Sequence, residues 1–381
     1  MTQLNDIASS FKQGHYLPRS SQLISSAPTV KPGDPQSFFH VKQLVGDAGL
    51  IRRRPGHYLG ISIVLTTLLA GTVAGMILLG DSWFQLLMAA MLGLLLTQFA
   101  FLAHEAAHRQ ILSSGKANDK LGRFLANIVV GISYQWWMNK HNKHHATPNT
   151  IGKDPDIEWD TISFQPADAK RQRGLLKWIT QRQGYLFFPL LTLEGMNLHL
   201  QSIKYLFIGQ RVKNRRRELI SIGLRIALYL GAAFFLLPVG MAFAFLGVQL
   251  AVFGIYMGAS FAPNHKGMPM VPADARMDFF SRQVLTGRNV MARSSFGNKV
   301  LSHVYGGLNY QVEHHLFPSM PRANLAGVSR IVRSYCAEHQ VPYTVASVGE
   351  SYAQVISYLN KVGLSARDPF ECPMISGYRI S

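Results

Sequence analysis

The 381-residue sequence has little cysteine and few charged residues. It contains two cysteines, Cys336 and Cys372, and no Cys-x-x-Cys pair, which argues against a cysteine-based zinc site or a redox dithiol. Asp, Glu, Lys and Arg make up 15% of the chain, whereas a typical soluble domain has roughly 25%. Apolar residues make up 48%. This composition argues against a soluble protein of two or three domains.

Four stretches are long and apolar enough to cross a bilayer, which takes about 20 residues of helix. They are residues 59–79, 83–103, 219–238 and 241–262. Arg225 is the one charged residue within them. Very short turns join the first two stretches and the last two, so the pattern predicts two helical hairpins in the membrane. A further apolar segment, Tyr185–Ile208, is interrupted by polar residues and is predicted to be an amphipathic helix at the interface.

The net charge of +18 is unevenly distributed along the chain. Seven Lys and Arg residues precede the first stretch, 18 lie between the second and third, and 12 follow the fourth, while the hairpin turns have none. Positive charge marks the cytoplasmic side, so we expect both termini and the long middle segment in the cytoplasm and a multi-pass protein of the cell inner membrane. The basic residues lack a basic-aromatic binding motif, and no nucleic-acid partner is predicted.

The domain organisation follows from these stretches. Residues 1–36 are polar and lack the apolar core of a signal peptide, so they are predicted to form a mobile cytoplasmic tail. Residues 37–345 are predicted to form the membrane domain. Residues 346–381 are predicted to be a C-terminal cytoplasmic extension.

Eight of the 14 histidines fall into short clusters. The clusters are His104 and His108; His141, His144 and His145; His265; and His314 and His315. Residues at i, i+3 and i+4 share one face of a helix, and imidazole is a good ligand for iron, copper, nickel and zinc. All four clusters are predicted on the cytoplasmic side, next to the membrane. Because one helix offers two or three ligands at most, the clusters are expected to converge on a pair of metal ions.

Two segments beside these histidines carry a family resemblance. One is Gly306–Pro318, which reads GGLNYQVEHHLFP, and the other is Gly152–Asp156, which follows His145. Over residues 40–345 the chain resembles the membrane fatty-acid desaturases, within them the front-end subgroup whose third histidine box begins with glutamine, and bacterial members in particular. The resemblance implies an all-α integral membrane fold. In that fold, four transmembrane helices form two hairpins, and a cytoplasmic helical cap holds a di-iron site.

The resemblance also implies the site residues. The eight clustered histidines would bind two iron ions, with no catalytic residue separate from the metal site. Possible further ligands, or hydrogen-bond partners of the ligands, are Gln311, Asn264, Glu105, Asp154, Asp156 and Glu313. One departure from the family pattern is Glu105-Ala106-Ala107, where relatives often have aspartate and glycine between the first two histidines.

The expected reaction is insertion of a cis double bond into an acyl chain with O2 and two electrons. The substrate would be an acyl-CoA or an acyl-lipid, and membrane lipids would be partners. The sequence has no His-Pro-Gly-Gly haem motif, so a separate electron donor is expected, either a ferredoxin or a flavin-linked reductase.

Three alternatives use the same features differently. A di-iron fatty-acid hydroxylase or alkane monooxygenase shares the histidine pattern and differs in its product. A haem electron carrier would need histidine pairs inside facing spans, and none of the four stretches contains histidine. A transporter would place ionisable groups near the bilayer midplane, where only Arg225 qualifies. The sequence leaves open the double-bond position, the acyl chain length, the carrier, the donor, the oligomeric state and whether Gln311 contacts iron.

Overall fold

The computed structural model describes residues 37–158, 161–210 and 212–366, and this part of the chain is mostly helical. The predicted tail, residues 1–36, lies outside the described residues, as do Cys372 and the rest of 367–381. In chain order, the helices up to the third histidine box are α1 (Ser37–Asp47), α2 (Pro55–Leu79), α3 (Gln85–Ala107), α4 (Gly115–Arg123), a π-helix (Phe124–Val130), α5 (Tyr134–Ala146), α6 (Pro166–Arg171), α7 (Gly174–Thr180), α8 (Gln183–Ile208), α9 (Arg215–Leu236), α10 (Val239–His265), α11 (Phe279–Thr286) and α12 (Ser295–Val304).

A short 3-10 turn, Leu308–Tyr310, leads into α13 (Gln311–Leu316), and α14 (Arg322–Glu338) and α15 (Val348–Leu364) complete the helices. Two strands of two residues each, β1 (Asn289–Val290) and β2 (Val345–Ala346), pair in parallel. This pairing ties the segment before α12 to the segment before α15.

Four of these helices, α2, α3, α9 and α10, are long and apolar enough to span a membrane. Their ends lie within four residues of the stretches predicted from the sequence. Gly80 ends α2 with a φ of 53°, a conformation that glycine adopts without a steric penalty. The segment predicted as a helix over 185–208 is present as α8.

Helix α10 lies against both α3 and α8, and glycines allow the close approach. A Cβ atom on Gly93 of α3 would lie 2.8 Å from the backbone oxygen of Gln249. A Cβ on Gly195 of α8 would collide with the backbone oxygen of Leu250, and Gly254 faces Gly195 in the same contact. Small residues let helix backbones pack closely in this way. The three helices therefore form one tightly packed unit.

The shorter helices α1, α11, α13 and α14 share an apolar core of their own. Val41, Val284, Val312, Val328 and Val332 are all fully buried there. Helix α15 packs on α8 and α10 through Val355 and Leu359. Helices α3 and α10 run without a break from their apolar stretches into His104 and His265, and this continuity brings the histidines to the edge of the apolar unit.

Candidate metal centre

Four helices supply the eight clustered histidines. Helix α3 carries His104, and His108 follows its last residue; α5 carries three, α10 ends at His265 and α13 carries the last two. Helix α5 starts where the Ser133 hydroxyl accepts a hydrogen bond of 3.1 Å from the backbone N–H of Trp136. The chain turns into α13 through Gly306 and Gly307, whose φ angles are 58° and 85°.

The first histidine group contains five residues: His104, His108, His141, His145 and His314. One ring nitrogen of each lies within 4.8 Å of one ring nitrogen of every other. The Nε2 atom of His141 is 3.1 Å from that of His104 and 2.8 Å from that of His108. The indole of Trp137 stacks on His141, with ring centroids 4.2 Å apart.

The second histidine group contains the other three: His144, His265 and His315. The Nε2 atom of His265 lies 3.3 Å from those of both His144 and His315. Gln311 places its amide nitrogen 2.8 Å from the same His265 atom, and its amide oxygen accepts a hydrogen bond from Asn264. The structure thus places Gln311, predicted as a possible ligand, directly beside this group.

The two groups adjoin each other. The rings of His145, from the first group, and His315, from the second, stack with centroids 4.2 Å apart and planes 13° apart. The groups differ in exposure, because all three histidines of the second are buried, whereas His108, His141 and His145 of the first are half-buried. The first group is therefore the more accessible of the two.

Each of the three histidine rings of the second group has a hydrogen-bond partner at Nδ1, on the side that faces away from the group. His144 Nδ1 lies 3.0 Å from a carboxylate oxygen of Asp154, and His265 Nδ1 donates to the backbone oxygen of Thr286 at 2.9 Å. His315 Nδ1 lies 2.9 Å from the amide oxygen of Gln283. A ring that donates through Nδ1 keeps its lone pair on Nε2, which is the arrangement that orients a histidine toward a metal ion.

The four carboxylates predicted beside the histidines divide into two kinds. Asp154 is buried against His144, and Asp156 pairs with Lys140 at 3.1 Å while one of its oxygens lies 3.4 Å from His144 Nδ1. The other two, Glu105 and Glu313, belong to neither histidine group.

Glu105 and Glu313 bind partners on the outer side of the site. Glu105 lies 3.2 Å from the guanidinium of Arg322. Glu313 accepts hydrogen bonds from Asn289 at 2.7 Å and from the Tyr343 hydroxyl at 2.8 Å, and burial raises its pKa to about 7. Both carboxylates therefore bind residues of neighbouring segments and not a histidine of the site.

The charge state of the histidines favours metal binding. Burial and the neighbouring imidazoles hold the pKa values of His141, His145, His314 and His315 well below the ordinary value. These rings are therefore neutral near neutral pH, as a metal ligand has to be. His144 differs, because the carboxylates of Asp156 and Asp154 raise its pKa although burial alone would lower it.

The nitrogen atoms also have the spacing that a bound metal ion requires. Two nitrogens each about 2.1 Å from one ion lie about 3.0 Å apart in octahedral and about 3.4 Å apart in tetrahedral geometry, and the Nε2 pairs above are 2.8–3.3 Å apart. Both ring nitrogens of His145 and the Nε2 of His314 are buried without a hydrogen-bond partner among the described residues. Buried polar atoms normally have a bonding partner, and a bound metal ion would supply one here. The residues present therefore fit metal ions in both histidine groups.

Comparison with known proteins agrees with this site. The sequence profile of the fatty acid desaturase family matches residues 81–347, which include all eight histidines. The chain belongs to the fatty acid desaturase family.

Its relatives include a Delta(6)-fatty-acid desaturase of Caenorhabditis elegans, 30% identical over 341 residues that cover 86% of this chain and 75% of the relative. A Delta(8)-fatty-acid desaturase of Helianthus annuus is 29% identical over 84% of this chain and 72% of its own length. An acyl-lipid (9-3)-desaturase of Borago officinalis is 28% identical over 83% and 72%, respectively. The family and the front-end type expected from the third histidine box are confirmed. As a desaturase, the chain is an oxidoreductase that acts on fatty-acyl chains with O2 and an electron donor.

Sequence reasoning missed several residues of this desaturase that contact the site. Gln283 and Thr286 of α11 bind the outer nitrogens of His315 and His265, and Asn289 and Tyr343 bind Glu313. Arg322 pairs with Glu105. These are ordinary polar residues outside the histidine motifs, so no pattern in the sequence marks them.

Proposed function

We propose that the chain inserts a cis double bond into an acyl chain at two iron ions, one held by each histidine group. The observation that carries the proposal is the pair of adjoining histidine groups, in which ring nitrogens face one another 2.8–3.3 Å apart. Imidazole ligands suit iron, and the fatty acid desaturase family supports that choice of metal.

Some residues of the site would hold the metal ions, and others would orient the ligands or exclude water. When bound, the iron ions would supply O2 activation, with two electrons and two protons taken up and two hydrogens removed from neighbouring CH2 groups, so that one alkene and two waters result. The Nε2 lone pairs would bind the ions, while Asp154, Thr286 and Gln283 fix the orientation of the rings that they contact. The buried second group excludes water, and the half-buried side of the first group, at His108 and His141, would face the acyl chain.

The orientation that we propose places the histidines on the cytoplasmic side. The support is the distribution of Lys and Arg, which are absent from the turns after α2 and after α9 and frequent in 103–218. The helices α2 with α3 and α9 with α10 would form two hairpins, and the shorter helices a cytoplasmic cap. The relatives named above come from a nematode and from plants, so they do not support the inner membrane expected from the sequence.

The substrate that we propose is an acyl chain that already carries a double bond. The relatives are named Delta(6)- and Delta(8)-fatty-acid desaturases, which are front-end types, and this type supports insertion on the carboxyl side of an existing double bond. One relative is named an acyl-lipid desaturase. The acyl chain would be carried either by a lipid or by CoA. The electrons would come from a separate ferredoxin or flavin-linked reductase.

The test is deletion of the gene in its source organism, with double-bond positions in total fatty acids mapped by mass spectrometry. The deletion strain is complemented with the wild type, with His315→Ala and with His339→Ala, a matched change at an exposed histidine outside both groups. We expect one unsaturated species to disappear and to return with the wild type and His339→Ala only. Loss of a hydroxylated lipid instead would make the chain a hydroxylase, and full rescue by His315→Ala would contradict the proposed site.

A further inference from the structure

Gln283 contacts both histidine groups. Its side chain is 1% exposed and lies on α11. The amide oxygen is 2.9 Å from Nδ1 of His315, in the second group, and the amide nitrogen donates a hydrogen bond of 3.1 Å to the backbone oxygen of His145, in the first. One buried amide thus spans the place where the two groups meet.

The direction of these two hydrogen bonds is fixed by chemistry. A backbone oxygen only accepts hydrogen bonds, so the NH2 end of the Gln283 amide has to face His145. Its oxygen then faces His315, whose Nδ1 has to carry the proton and donate it. The lone pair of His315 is left on Nε2, the atom that faces His265 at 3.3 Å. The backbone position of His145 therefore decides the tautomer and the orientation of His315.

This arrangement gives a mechanical link between the two metal positions. A metal ion bound to the first group would fix the His145 ring and with it the end of α5. Through the hydrogen bond of Gln283, this would order the His315 ring before a second ion is bound. Because the first ion would already have ordered the His315 ring, binding of the second ion would lose less conformational entropy. The two binding events would therefore be cooperative.

We infer that Gln283 is a positioning residue that couples the two metal positions, so that iron enters the site in pairs. The inference rests on the proposed function, because it presupposes one ion in each histidine group. Coupling between sites in proteins is typically about 5- to 150-fold. At half-saturation, two independent sites of equal affinity leave about 50% of the chains with one ion, whereas a 100-fold coupling leaves about 9%. Unequal affinities only increase the singly loaded share of independent sites.

The test is anaerobic titration of the full, detergent-purified chain with Fe²⁺, with zero-, one- and two-ion species counted by native mass spectrometry. The variants are Gln283→Leu, which removes both hydrogen bonds, and Gln283→Glu, whose ionised carboxylate can still accept from His315 but cannot donate to His145. The control is Gln183→Glu, the same change at a buried glutamine bonded to Ser163 and Leu359. Circular dichroism establishes that each variant is folded.

We expect paired loading in the wild type and in Gln183→Glu, and a singly loaded share of about half or more in both Gln283 variants. Paired loading in Gln283→Glu would overturn the inference, even if Gln283→Leu does not fold. About half of the wild-type chains carrying a single ion at half-saturation would also overturn it, whatever the variants do. A wild type that takes up no iron at saturating Fe²⁺ would instead overturn the proposed function.

Discussion

Replacing Arg322 with methionine would leave the buried carboxylate of Glu105 without its counter-charge. The two groups are 3.2 Å apart, and their side chains are only 5% and 1% exposed. The other carboxylate oxygen of Glu105 has no hydrogen-bond partner among the described residues. Glu105 follows His104 on α3, so the pair joins α14 to the helix that carries His104 and leads into His108.

The expected cost follows from the burial. At a pH at which Glu105 stays ionised, removing one partner of a buried ion pair costs about 3–5 kcal/mol. Tyr58, whose hydroxyl oxygen is 3.3 Å from Glu105, offers one partial replacement. At roughly 2 °C per kcal/mol for a chain of this size, Arg322→Met lowers the unfolding temperature by about 6–10 °C. Combining it with Glu105→Gln removes both charges, and the double variant is expected to regain most of the loss, because replacing a whole buried pair is often neutral.

The assay is thermal unfolding of the detergent-solubilised chain, followed by circular dichroism. Arg171→Met is the matched control, since Arg171 is 71% exposed and 4.0 Å from Asp168, and an exposed pair contributes about 0–1 kcal/mol. An Arg322→Met variant as stable as the control would refute the reasoning. So would a double variant whose loss equals the sum of the two single losses, because independent sites are additive and coupled ones are not.

Four further predictions follow from the described contacts. Gly195→Ala should cost about 1–3 kcal/mol in thermal unfolding because it forces α8 away from α10. Gly223→Ala should cost nothing, because a Cβ atom added at Gly223 meets no atom within 4 Å. Equal effects of the two changes would contradict this. Ser347→Ala removes the N-cap of α15 and should cost about 1 kcal/mol. Hydrogen bonding to Ser347 lowers the pKa of Glu350. The stability difference between wild type and Glu350→Gln should therefore be present above the ordinary carboxyl pKa and be lost as the pH falls through the lowered pKa of the folded state. Asp154→Ala should weaken Fe²⁺ binding about 10- to 100-fold in an anaerobic titration, and unchanged affinity would argue against a role in orienting its histidine.

The sequence was most informative where a physical requirement is local. A membrane-spanning helix needs an uninterrupted apolar stretch, so the four long helices could be placed to within four residues. Histidines at i, i+3 and i+4 share a helix face, and the structure brings His141, His144 and His145 into contact with the histidines of the other helices. The long separation in sequence between His108 and His314 did not matter, because the structure brings both into the same histidine group.

The sequence was least informative about partners that only the tertiary structure brings together. Gln283 is an ordinary glutamine in a segment without histidine, and its two contacts depend on how α11 packs. The carboxylates next to the histidines show the reverse case, in which residues adjacent in sequence lie apart from the site in the structure. Glu105 follows His104, and Glu313 precedes His314, and neighbours on a helix point about 100° apart. Adjacency in sequence therefore placed Glu105 and Glu313 on the outer side, facing Arg322 and Tyr343.

Helices α3 and α10 pass from the apolar unit into His104 and His265 without an intervening loop. A bilayer whose hydrocarbon layer is thinner than the apolar length of these helices makes them tilt, at a cost of a fraction of a kcal/mol per Å of mismatch. Because the two helices pack closely at Gly93, they tilt together, and the histidines at their ends move as one body. We therefore expect a thinner bilayer to change the height of His104 and His265 relative to the membrane surface.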